Sequence, residues 1–253
     1  MLEARVVLAL SISVALAACV GCGSKAVIDP RAGEALMRMS DALGGADSFS
    51  FTARNTADHA LETGQIVQLH EERKVFVRRP SKLLVEAEGE AFQRSVLYDG
   101  RTLTVLDRSA NEYAEAAVSG TIGDMLDYVA DRYDLTVPLA DLFFRNPYET
   151  LVAGVEKGSY IGLHEVDGHP CHHLAFRQPD LDWQIWIDAV GPPVPRKLVI
   201  VHTKEEGCPS YSAVMDHWNL KAELKDAAFE LRIPAGAGKV PMSDLIRAGK
   251  EGR

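Results

Sequence analysis

Residues 82–107, KLLVEAEGEAFQRSVLYDGRTLTVLD, decide the fold. Leu83, Val85 and Ala87 alternate with Lys82, Leu84, Glu86 and Glu88. Leu103 and Val105 alternate with Thr102, Thr104 and Leu106. Partial alternation of this kind suits antiparallel strands with one wetted face. Asp99-Gly100, set between Val96-Leu97-Tyr98 and Arg101-Thr102-Leu103, reads as a two-residue hairpin.

The same pattern extends in both directions. Upstream, 48–56 and 64–78 are strand-like, and 92–99 and 111–117 complete a meander around 81–88 and 102–107. The period then changes to helical. Ile122, Met125, Leu126, Val129 and Tyr133 share a face over 121–133. Pro138 and Pro147 open two short helices, 139–144 and 148–155. Strands resume at 159–166, 170–177, 182–189, 195–204 and 210–218, with a late one near 228–233. Before all of these, Asp29 caps a helix that starts at Pro30 and ends at Gly44-Gly45. About eleven antiparallel strands must curl or close. The expected fold is α+β, mainly antiparallel β: a strongly curved, incomplete barrel with an N-terminal helix and a helical lid across its open side.

The N-terminus has the character of an export signal. Residues 6–18 are an uncharged apolar run, too short for a bilayer span, which needs roughly 20 residues. It ends Leu16-Ala17-Ala18-Cys19, similar to the bacterial lipoprotein signal. The expected organisation is a signal peptide over 1–18, acylation at Cys19 and a tether over 19–28. A domain over 29–241 follows, then a flexible or loosely helical tail over 242–253. Val20 after Cys19 lacks an acidic retention residue, which favours the outer membrane.

Composition excludes more than it names. A formal charge of −9 argues against nucleic-acid binding, which needs clustered cations. No phosphate-loop, nucleophile-elbow or cofactor motif occurs. His169, Cys171 and His173 are weak metal candidates, since Cys171 and His173 share a strand face and no second ligand pair accompanies them. In a consecutive meander, Cys171 and Cys208 lie at opposite sheet ends, about 20 Å apart, and are read as free thiols.

Several stretches in order resemble the LolA/LolB superfamily of periplasmic lipoprotein carriers. They are Val77-Arg78-Arg79-Pro80, Tyr98-Asp99-Gly100-Arg101-Thr102-Leu103 and Leu142-Phe143-Phe144-Arg145-Asn146. Trp186-Ile187-Asp188, Pro195-Arg196-Lys197-Leu198 and Ile233-Pro234-Ala235-Gly236-Ala237 follow. The closer similarity, over roughly 28–240, is to a branch of predicted periplasmic proteins. It includes His173-Leu174-Ala175-Phe176-Arg177 and Asp182-Trp183-Gln184-Ile185-Trp186-Ile187. The resemblance implies an apolar cavity that takes acyl chains and a lid held closed by an arginine, which maps to Arg79. The expected lining is Leu83, Val85, Leu97, Leu103, Val105 and Trp186 from strands, and Met125, Val129, Leu142 and Phe143 from the lid. The expected function is non-enzymatic: a membrane-anchored envelope protein that binds an apolar ligand. An envelope sensor with a protein partner is the alternative, and a metal-dependent enzyme using the His/Cys cluster is a more distant one.

Overall fold

The computed structural model describes residues 26–250, apart from 62, 91, 136 and 138. The signal segment, Cys19 and most of the tether therefore lie outside the described residues.

One open sheet carries the architecture. Strands β2 (Ser48–Ala60), β3 (Ile66–Arg78), β4 (Lys82–Gly89), β5 (Gln93–Tyr98), β6 (Thr102–Asp107) and β7 (Glu112–Ala117) form the first meander. β8 (Lys157–Val166), β9 (His169–Arg177), β10 (Leu181–Asp188), β11 (Pro195–His202) and β12 (Ser210–Asn219) form the second. β12 pairs with β2, which fuses the two meanders into one strongly curved surface that does not close. Two short parallel strands finish the edges: β1 (Val27–Ile28) on β8, and β13 (Gly238–Lys239) on β7. Neither is visible in the sequence, because two residues carry no periodicity.

Helix α1 (Pro30–Gly44) begins as the sequence reads: the Asp29 carboxylate accepts from the Arg31 N–H, and Pro30 opens the first turn. It buries Ala32, Ala35, Leu36, Met39 and Leu43. Helix α2 (Ile122–Tyr133) is capped by a reciprocal pair, Thr121 and Asp124. A 3-10 turn (Ala140–Phe143) and α3 (Pro147–Val152) follow. These helices share one core with Phe49, Phe51, Val75, Val77, Leu83, Tyr98, Leu103, Ile185, Ile187 and Met215 of the sheet.

Two local readings shift. The 98–103 hairpin closes at Asp99 and Thr102, with Gly100 (φ +93°) and Arg101 at its tip, one residue later than an Asp-Gly turn. The Asp99 carboxylate accepts from the N–H groups of Arg101 and Thr102, so Asp99 serves as the turn's brace. The strand expected near 228–233 is instead a 3-10 turn (Asp226–Phe229) that buries Phe229, followed by irregular chain. The segment after 241 contains helix α4 (Met242–Lys250), which buries Met242 and Leu245 against the core.

Candidate functional site

The concave face is the candidate site, and strand register decides which residues reach it. Leu83, Tyr98 and Leu103 are partners across β4, β5 and β6, as are Val85, Val96 and Val105. These two rows meet the helices. Met125, Val129, Leu142 and Phe143 are buried in the same core from the lid side.

Two expected lining residues face the other way. Leu97 pairs with Leu84 and Thr104, on the outer face, because Val96 and Tyr98 on either side of it point inward. Trp186 is likewise outside. It stacks on His173 with ring centroids 4.0 Å apart and lies beneath the Lys197 ammonium at 5.0 Å. The inward residues of β10 are Trp183, Ile185 and Ile187. Both tryptophans have plausible apolar neighbours in sequence, so only the register separates them.

Arg79 ties the helices to the sheet. Its Nη1 donates to the carbonyls of Leu43 (3.0 Å) and Ala46 (2.6 Å), at the end of α1. Its Nη2 donates to Phe143 (3.2 Å) and Phe144 (2.8 Å), at the end of the 3-10 turn. The guanidinium sits over the Phe49 ring at 5.0 Å. Among the described residues no carboxylate pairs with it directly. The carbonyl end of α1 supplies negative potential instead. Burial, assisted by nearby Arg145 and opposed by Asp47, pulls its pKa down to about 10, so it stays charged at neutral pH. The Arg79–Pro80 peptide is cis, and the Pro80 carbonyl accepts from Ile122 N–H at the start of α2.

Other contacts fasten the lid to α1. Ser40 Oγ accepts from Tyr148 N–H and donates to Asn146 Oδ1. Arg145 donates to the Gly44 carbonyl and to Asp47. The approach is close: a Cβ on Gly44 would lie 2.3 Å from the Arg145 carbonyl oxygen.

Among the described residues, lid and sheet side chains pack into one shared core. A void of about 10 Å³ lies among Leu139, Leu142, Leu151, Ile185, Leu198 and Met215, with Asp141 at its wall. That is room for roughly one water. Burial pushes the Asp141 carboxyl up, with a hydrogen bond from Thr150 opposing. A larger hollow of about 350 Å³ is lined mostly by residues of outward parity, Glu72, Lys74, Glu86 and Glu88, and reaches Ala87 and Arg94; its mixed charges do not suit an acyl chain.

The histidine cluster is used internally. Cys171 is buried and donates to the His169 carbonyl. Burial, with Asp188 adding and Arg196 opposing, pushes its thiol up to about 11. His173 bonds His164 (2.8 Å) and Gln184 (3.0 Å), while His169 lies 3.6 Å from Asp188. Among the described residues no group of three or more His, Cys, Asp or Glu side chains is placed to hold a metal. Cys171 and Cys208 are both free thiols.

An open, strongly curved, mostly antiparallel sheet with helices across its concave face defines the class as an α+β half-barrel. The chain belongs to the predicted periplasmic protein family DUF2092, whose pattern matches residues 32–243. No curated protein sequence matches it. Among solved structures, an uncharacterized conserved protein of Thermus thermophilus is similar at 13% identity. The match covers 83% of this chain and 99% of that one, with a TM-score of 0.50. The Mycobacterium tuberculosis lipoprotein LppX is similar at 16% identity over 78% of this chain and 100% of its own, also with a TM-score of 0.50. A LolA superfamily protein from Nitrosomonas europaea overlaps at 13% identity over 79% of this chain and 97% of its own, with a TM-score of 0.40. At these identities the likeness is one of fold.

Proposed function

We propose that this protein is a non-enzymatic, lipid-anchored component of the bacterial envelope that binds an acyl chain between its sheet and its lid. The observation that carries the reading is the continuous apolar contact between the concave face and helices tied down by polar links. The void of about 10 Å³ is too small for an acyl chain. Ligand and helices therefore compete for the same apolar surface. Uptake replaces lid contacts on Leu83, Val85, Leu103 and Val105 with ligand contacts, and Arg79 sets the cost of lifting the lid. Binding draws on apolar burial, about 25 cal/mol per Å² before association costs.

Acylation at Cys19 holds the domain at a membrane, facing the periplasm, with the outer membrane preferred. Native mass spectrometry of the full chain, purified from the envelope and followed by organic extraction, tests the reading. A stoichiometric acyl lipid supports it; a ligand-free mass that takes up no added fatty acid or phospholipid overturns it. Radiolabelled palmitate incorporation that survives Cys19→Ser overturns the anchor.

A further inference from the structure

The concave face is chemically divided, and its polar end points to the ligand's other half. Toward Phe49, Val77 and Tyr98 the inner rows are apolar. Farther along the same strands, at the same inward parity, they become charged. Arg73 and Glu71 continue the row of Val75 and Val77 on β3; Arg94 continues Val96 and Tyr98 on β5; Asp107 continues Leu103 and Val105 on β6. Arg73 is paired with Glu71 at 2.5 Å and Arg94 with Asp107 at 2.7 Å, and the four side chains are only 5–21% exposed. A purely apolar ligand gives no reason for these inward charges.

The register leaves a seat between the two cations. Arg73 pairs with Ala87, and Ala87 pairs with Arg94. Two strand spacings separate the arginine Cα atoms by about 10 Å, with the Ala87 methyl group between them and the Phe92 ring, which the Arg94 guanidinium overlies at 5.1 Å, to one side against Gly89. Each carboxylate partner lies on the side of its arginine away from Ala87 or farther along the strand. Arg73 Nε is buried with no acceptor. The Glu71 side is braced further: Asn55 Nδ2 donates to Glu71, and Tyr211 OH donates to Asn55. Glu71 is thus held by two donors, one of them Arg73 itself, and Arg73 keeps an unused one.

We propose that this seat takes the phosphate of an acyl lipid whose tails lie under the lid. The inference rests on the acyl-binding reading above and adds an anionic headgroup to it. Arginine suits phosphate because its planar donors match the oxygens and it stays charged. The ligand then enters in one orientation, tails toward Tyr98 and Phe49, phosphate toward Ala87.

The test uses the full chain in detergent with two fluorescent probes of identical chains, dioleoyl phosphatidic acid and dioleoylglycerol. The expected result is at least tenfold tighter binding of the phosphatidic acid. Arg73→Gln abolishes that preference without weakening dioleoylglycerol, and Arg73→Lys restores part of it. Glu71→Gln increases the preference, which keeps the test informative if Arg73→Gln does not fold. Equal affinity for both probes, or a preference unchanged in Arg73→Gln, overturns the headgroup seat and leaves acyl binding standing. Uptake of neither probe overturns acyl binding and the seat together. Glycerol 3-phosphate binding as tightly as the lipid reassigns the seat to a soluble phosphate ester and overturns the lipid assignment.

Discussion

Replacing Arg79 with Met destabilises the closed protein and, at the same time, tightens its grip on ligand. The change removes the donors to Leu43, Ala46, Phe143 and Phe144 while keeping a side chain of similar length. The Leu43 carbonyl retains the Ala46 N–H as a partner. Three acceptors are therefore orphaned, at about 1 kcal/mol each, or about 3 kcal/mol in all. For a domain of this size that lowers Tm by about 6–12 °C. The links run between the sheet, the end of α1 and the lid, so the loss falls on the closed arrangement. If closure alone is weakened, 3 kcal/mol raises the open population about a hundredfold, and apparent acyl affinity rises by up to the same factor. Calorimetry gives the Tm and displacement of a fluorescent fatty acid gives the affinity. A lower Tm with unchanged or weaker affinity would refute the latch, since a purely structural arginine moves stability alone. A Tm within a degree of wild type would show that the guanidinium holds nothing closed.

Gly44→Ala forces the Arg145 backbone away from a Cβ that would otherwise sit 2.3 Å from its carbonyl oxygen. It should cost about 1–3 kcal/mol, read from denaturant midpoints. Trp186→Ala loses an outer-face stack worth about 0.5–1.5 kcal/mol and should leave acyl affinity unchanged in the same displacement assay. Stability should also fall in mild acid. Burial, with Arg38 adding and Glu34 opposing, holds His172 below the ordinary imidazole value. Burial also lowers His173, with His164 and Lys197 adding and the Gln184 hydrogen bond opposing. A depressed histidine takes up its proton in the unfolded chain first, so stability is full above about pH 6.5 and declines below it toward the folded pKa. Urea midpoints at pH 7.5 and 5.5 should differ, and His172→Gln with His173→Gln should flatten the difference. At Asp188 burial raises the carboxyl, but the N–H groups of Gly191 and Val190 and the Arg196 guanidinium outweigh it and hold it low. That contribution persists through mild acid and is lost only as pH falls below about 4.

Most of the sheet was legible because alternation and punctuation agree locally. Val75, Val77, Leu83 and Val85 announce their face, and Asp29-Pro30 with Gly44-Gly45 bounds α1 at both ends. The misreadings have a common cause in register. Leu97 and Trp186 sit in strands where both faces carry large apolar residues, so hydrophobicity does not distinguish inside from outside. The pairing of β12 with β2 is long-range and leaves no mark in either strand. The inward placement of Arg73 and Arg94 emerges only when the parity of Val75 and Val96 is carried along their strands. Arg79 is different: its position before Pro80 is visible in sequence, but its four carbonyl partners come from segments that only folding brings together.

The most direct test of the account is hydrogen exchange of the full chain with and without a saturating acyl ligand. Displacement of the helices predicts faster exchange across 122–152 on binding, while β2–β6 amides stay protected. Ligand bound with the 122–152 amides equally protected would contradict it, because the apolar face would then never have been uncovered.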